Sequence, residues 1–119
     1  MMYVVGNWKM NLLRAQATEL IAGLNERQAV SGQSVSVVVC PPYTSISAIM
    51  QVASNTGIAV GGQNCHHISQ GAFTGEISAE MLVDAGCSYV IVGHSERRRD
   101  MQECDSQIGS KAASAHRCG

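Results

Sequence analysis

The sequence predicts a single α/β domain in which a strand followed by a helix is repeated four times. Three observations carry this. Short runs of Val and Ile recur along the chain, apolar at successive positions rather than alternating, as in parallel strands covered on both faces. Each run is followed by a stretch with apolar residues at helical spacing. Turn residues separate the units, with no linker or change of composition to mark a second domain. Regular alternation of this kind implies a parallel sheet with right-handed crossovers.

Taken in order, residues 3–6 (Tyr-Val-Val-Gly) are the first strand, and Asn11 is positioned to cap the first helix. Leu13, Ala17, Leu20, Ile21 and Leu24 form that helix's apolar stripe, and Val30-Ser31-Gly32 ends the unit. Val35, Val37, Val38 and Val39 make the second strand, stopped by Pro41-Pro42, which cannot donate ladder hydrogen bonds. Thr44 or Ser45 can cap the second helix, which buries Ile46, Ile49, Met50 and Ala53 and closes at Asn55-Thr56-Gly57. Residues 58–62 are the third strand. The long polar connection at 63–77 has the length of a functional loop. Ser78 caps a short helix over 79–85, ended by Gly86, and residues 89–92 are the fourth strand. Cys104, Ile108, Ala112 and Ala115 mark the inner face of a last helix, weakened at Gly109 by roughly 1 kcal/mol relative to Ala.

Composition removes several classes of function. Hydrophobic residues make up 45% and charged residues 14% of the 119, which describes a chain with a core rather than a disordered one. Net charge is -1 and the only basic run is Arg97-Arg98-Arg99, so no nucleic-acid partner is expected. No apolar run approaches the roughly 20 residues that span a membrane, and the N-terminus lacks the charged start and long apolar centre of a signal peptide. Cys40, Cys65, Cys87, Cys104 and Cys118 are odd in number and lack Cys-x-x-Cys spacing, which argues for free thiols and a cytoplasmic location. Cys65-His66-His67 is adjacent in sequence and cannot make a tetrahedral set, so no metal is expected. The cysteines read as small hydrophobes, and Arg99 and Asp100 as solvated surface.

In such a sheet, chemistry gathers where strands hand over to helices. Those positions hold Asn7 and Lys9 after the first strand, Gln63 and Asn64 after the third, and His94 and Glu96 after the fourth. A lysine there suits an anionic substrate or a developing oxyanion, and a histidine suits proton transfer or hydrogen bonding to a carbonyl. Together they point to chemistry on a small anionic carbonyl compound.

Three motifs make this specific: Asn7-Trp8-Lys9-Met10-Asn11, Gly71-Ala72-Phe73-Thr74-Gly75-Glu76-Ile77-Ser78 and Gly93-His94-Ser95-Glu96-Arg97-Arg98. In this order and spacing the chain resembles the triose-phosphate isomerase family from residue 3 to its end. The resemblance implies a (β/α)4 half of a TIM (β/α)8 barrel as the single, incomplete domain 1–119. It also implies a homodimer without metal or organic cofactor. Its reaction interconverts dihydroxyacetone phosphate and glyceraldehyde 3-phosphate through an enediol(ate), a step of glycolysis and gluconeogenesis. By resemblance, Asn7 and Lys9 would contact the substrate, Lys9 and His94 would be catalytic, and His94 would polarise the carbonyl. A histidine kept neutral at a helix N-terminus is a known property of this family, not something spacing shows. Glu96 would pair with Lys9, and Ser95 would help hold the loop. Thr74 would reach into the partner subunit, and Glu76 and Arg97 would form an ion pair across the interface.

The chain departs from the family pattern at Met101-Gln102-Glu103, where Phe-Gly-Glu is usual, and at Gly62, where alanine is usual. Glu103 is expected to pair with Arg98. The larger departure is length, since a whole barrel takes about 250 residues. The glutamate base, the lid loop and the phosphate-binding turns are expected in the other half, so activity of these residues alone is expected to be weak or absent. The expected concave face is exposed and the first and fourth strands are open edges, which favours self-association. A catalytically inactive truncated homologue acting as a self-associating or binding module is the alternative reading.

Overall fold

A computed structural model describes residues 2–31 and 35–119. The elements are β1 (Met2–Asn7), α1 (Arg14–Ser31), β2 (Val35–Cys40), α2 (Tyr43–Ala53), β3 (Ala59–Gly62), α3 (Ala79–Asp84), β4 (Tyr89–Val90), α4 (Ser95–Asp100) and α5 (Asp105–Arg117). The strands form one parallel sheet in the order β1-β2-β3-β4. The predicted alternation is therefore observed. Of the predicted turn after the first helix, Gly32 lies outside the described residues.

The sheet is curled. Three strand spacings would set β1 and β4 roughly 14 Å apart in a flat sheet. Yet the rings of Tyr3 on β1 and Tyr89 on β4 meet edge to face with centroids 6.2 Å apart. Strand alternation puts Val37, Val39 and Val60 on the convex face, where they join Ala17 and Ile21 of α1 and Ile46, Ile49 and Ala53 of α2 in one apolar cluster. The concave face is open, with Tyr3 and Val5 more than half exposed.

Several local expectations are corrected. The first strand is not buried on both faces: Val4 and Val5 are exposed, because β1 is an edge and the concave side is uncovered. Asn11 does not cap α1. Its side-chain amide donates to the Trp8 carbonyl, and Gln16 instead accepts from the Leu13 N–H, one half of a capping box. The buried ridge of α1 is Ala17, Ile21 and Leu24, while Leu13 and Leu20 point outward. Neither Thr44 nor Ser45 caps α2, which starts directly after Pro42 with Ser45 buried inside it. Ser78 does cap α3, accepting from the Met81 N–H at 3.2 Å. The ladder of β4 ends at Val90, though the Ile91 N–H still donates to the Gly62 carbonyl.

On α5 the inward positions are Ile108, Lys111, Ser114 and, as expected, Ala115, with Ala112 exposed and Cys104 an exposed N-cap. Cys40, Cys65 and Cys87 are buried as small hydrophobes, and burial pushes the Cys40 thiol up to about 11. Cys104 is the exception: hydrogen bonding to Ser106 holds its thiol below the ordinary range.

Both departures from the family pattern have structural counterparts. A Cβ on Gly62 would come within 2.6 Å of a Leu82 methyl, so Leu82 fills the space an alanine would use. Gln102 keeps the left-handed backbone that glycine serves best, with φ 55°. Gln102→Gly should therefore stabilise the fold by roughly 0.5–1 kcal/mol, seen as a higher Tm.

Candidate active site

Strand order brings the loops after β1, β3 and β4 to one rim. There they surround a cavity of about 380 Å³ lined by Asn7, Lys9, Gln63, Asn64, His94 and Glu96, among others. The turn after β1 is built by backbone pairing. The Trp8 N–H donates to the Cys40 carbonyl at 3.0 Å, and the Lys9 N–H donates to Asn7 Oδ1 at 3.0 Å. Lys9 takes φ 55°, a conformation that costs an L-residue roughly 1–2 kcal/mol.

The ammonium of Lys9 lies 2.7 Å from Glu96 Oε1. Hydrogen bonding from Lys9 holds the Glu96 carboxyl below its ordinary range. Both groups are well exposed, so the pair orients more than it stabilises. Glu96 thus pairs with Lys9, as the resemblance implied.

His94 is the N-cap of α4, a six-residue helix that sequence reasoning took for a loop. Its Nδ1 accepts from the Glu96 N–H at 3.1 Å. An accepting Nδ1 means a neutral ring whose hydrogen sits on Nε2. The helix was legible in its charges, with Glu96 in the first turn and Arg97, Arg98 and Arg99 in the last, which suits the helix dipole. Ser95 is its exposed first residue.

Behind the cavity lies a buried ionic network that the sequence reading missed. Glu103 does not pair with Arg98. Its Oε1 accepts from Arg97 Nε at 2.7 Å and from Lys111 Nζ, and Lys111 also donates to Asn64 Oδ1 at 3.0 Å. Arg98 turns instead to Asp105 and to the Gly93 carbonyl. A lysine on the inward stripe of a helix, eight residues from an acid, was the available signal. Asp100 lines the cavity too, gripped at both oxygens by Arg99. Thr74 and Glu76 do not line it; they are exposed on the 63–77 loop. His66 and His67 stack on one another with ring centroids 4.6 Å apart. Among the described residues, no group of three His, Cys, Asp or Glu side chains could hold a metal ion. Among them, no helix is long and apolar enough to cross a membrane.

Parallel strands rolled under helices, with a cation, an imidazole and amides at their C-terminal rim, define one half of a (β/α)8-barrel enzyme. A sequence profile of the triosephosphate isomerase family matches residues 2–119. The triosephosphate isomerase of Gluconacetobacter diazotrophicus is 46% identical over 116 residues, covering 98% of this chain and 47% of the relative. That of Xanthobacter flavus is 48% identical over 119 residues, with 98% and 45% covered. A crystal structure of triosephosphate isomerase from Bartonella henselae superposes with a TM-score of 0.83 at 37% identity, covering 99% of this chain and 48% of that one. The chain belongs to the triosephosphate isomerase family, and it spans about half the length of the curated relatives it matches.

Proposed function

We propose that residues 1–119 form the electrophilic half of a triose-phosphate isomerase site, which binds and polarises a phosphorylated triose in a step of glycolysis and gluconeogenesis. The observation that carries this reading is the convergence of the Lys9 ammonium, fixed by Glu96, and a neutral His94 on one cavity. Lys9 is suited to hold the phosphate and the charge that develops on the substrate oxygen, with the Asn7 amide beside it. The Nε2–H of His94 is suited to donate to the carbonyl and to pass a proton between the two oxygens of the enediol(ate).

Proton abstraction from carbon is a separate task. Glu96 and Asp100 line the cavity, but hydrogen bonds from Lys9 and Arg99 hold both carboxyls below their ordinary range, which makes them weak bases. These residues alone should therefore bind the substrate while turning it over slowly or not at all. No organic cofactor or metal enters this scheme, and the cytoplasm is its natural location.

Titration with dihydroxyacetone phosphate followed by NMR, beside a coupled assay with glyceraldehyde 3-phosphate, tests this. Lys9→Ala should weaken binding by roughly 10- to 100-fold, the worth of a hydrogen bond to a charged group. His94→Ala should weaken it less. Absence of binding by the parent chain sinks the reading. Substantial turnover that both substitutions abolish would refute the claim that the base lies elsewhere.

A second reading is favoured by the open concave face, where Tyr3, Val5 and Tyr89 are exposed between two unpaired parallel edges. In it the chain is a self-associating module, most simply a homodimer, with Thr74 reaching a partner and Glu76 pairing with a partner's Arg97. A monomer by sedimentation would remove it.

A further inference from the structure

We propose that Gln63 is a positioning residue for Lys9: its side-chain amide clamps the Lys9 carbonyl to the Cys40 carbonyl and so fixes the turn that aims the Lys9 ammonium. The assignment of a catalytic task to Lys9 rests on the functional reading above; the clamp itself does not.

Gln63 directly follows β3. Its Nε2 donates to the Lys9 carbonyl at 2.8 Å and to the Cys40 carbonyl at 2.8 Å. Both acceptors are carbonyls, so only the nitrogen of the amide fits between them, and both of its hydrogens are used. One side chain just beyond β3 thereby ties the exit of β1 to the exit of β2.

The clamp matters because of what it holds. Lys9 stands at φ 55°, and a non-glycine residue stays there only when its surroundings impose it. Asn7 Oδ1 takes the Lys9 N–H, and Gln63 takes the carbonyl. With the Gln63 donor gone, the carbonyl side of this strained residue is free to relax. Rotation about φ of Lys9 carries its carbonyl and its side chain together, so once the carbonyl is unpinned the residue can leave the left-handed region and the ammonium swings away from Glu96. A side chain that merely filled space at this position would leave the Lys9–Glu96 geometry alone.

The carboxyl of Glu96 reports that geometry, since the titratable groups facing it are the Lys9 ammonium, the His94 imidazole and the Arg99 guanidinium, and hydrogen bonding from Lys9 is the largest influence on it. The experiment is a 13C NMR titration of the glutamate carboxyls in the 119-residue chain and in Gln63→Met, which has the length of Gln63 but no donor. The expected result is a rise of the Glu96 midpoint toward that of an ordinary glutamate. Glu103, held by Arg97 and Lys111 behind the cavity, should keep its low midpoint and so reports an intact fold. Binding of dihydroxyacetone phosphate should weaken about tenfold, as expected when a binding group is misplaced. An unmoved Glu96 in a variant with unmoved Glu103 overturns the proposal. If both carboxyls move, the fold is lost, and Gln63→Asn, one methylene shorter, is read by the same two midpoints and must raise that of Glu96. If the parent chain binds no triose phosphate but Glu96 still moves, the functional reading fails and the clamp stands.

Discussion

Replacing Glu103 by alanine is expected to destabilise the chain by about 3–5 kcal/mol, a large part of the 5–15 kcal/mol typical of a domain. The Glu103 side chain is 6% exposed and that of Lys111 is 9% exposed. Removing the carboxylate leaves an ammonium group inside the protein with Asn64 Oδ1 as its one remaining acceptor among the described residues, and takes the partner from the part-exposed Arg97 guanidinium. Burying an unpaired charge costs far more than the pair gains, because the attraction of the pair mainly offsets its own desolvation. Both cations bond Oε1, and Oε2 has no hydrogen-bond partner among the described residues. The network is thus incompletely satisfied, and Glu103→Met combined with Lys111→Met should recover most of the loss. Chemical denaturation of the two single variants and the double variant measures this coupling.

The same residue sets a pH dependence. Burial pushes the Glu103 carboxyl up, but hydrogen bonds from Lys111 and Arg97, with their charges, more than offset it and hold the carboxyl below its ordinary value. A group lowered on folding contributes stability that is fully present above its unfolded value and is lost as pH falls through its folded value. Glu103 therefore contributes fully to stability above about pH 4.3, the ordinary glutamate value, and its contribution fades as pH falls from there toward the lower value of the folded chain. Glu103→Gln should lower stability at neutral pH and flatten its decline in acid.

What could be read in advance divides along physical lines. The order of strands and helices was legible, because burial against a convex core imposes periodicity that survives in the sequence, as with Ile46, Ile49 and Ala53. The cap at Ser78 was legible because a hydroxyl ahead of an apolar run has few other uses. Asn11 carried the same signal and did otherwise, since Leu12 at φ 71° redirects the chain before α1 starts. Lys9, His94 and Glu96 were placed at one rim by topology alone. The Glu103–Lys111 network was not, because its partners lie on different elements and a lysine in a helix usually reaches water. Gln63 was seen as an amide on the rim, but its hold on two carbonyls depends on the curl of the sheet, which no local pattern encodes.

Gly93 and Gly109 make the same point in a form that predicts opposite signs. Both precede or interrupt helical segments, and composition does not distinguish them. Gly93 has φ 65°, and a Cβ there would lie 2.8 Å from Cγ2, 2.9 Å from Cδ1 and 3.1 Å from Cγ1 of Ile108. Three atoms of one β-branched side chain cannot all move aside by a change of rotamer against the backbone of α5. Gly93→Ala therefore combines left-handed strain of roughly 1–2 kcal/mol with overpacking of about 1–3 kcal/mol, an expected loss of about 2–5 kcal/mol. It should also displace the next residue, His94, and loosen the Arg98 hydrogen bond to the Gly93 carbonyl. A Cβ on Gly109, within α5, would meet nothing within 4 Å. Gly109→Ala should stabilise by up to about 1 kcal/mol through helix propensity. Thermal unfolding of the two variants decides the matter. Equal shifts would mean that α5 does not approach the turn before His94 closely enough to exclude a methyl group. Opposite shifts would show that the glycine before His94 is required by packing as well as by backbone, and that α5 helps to aim the histidine.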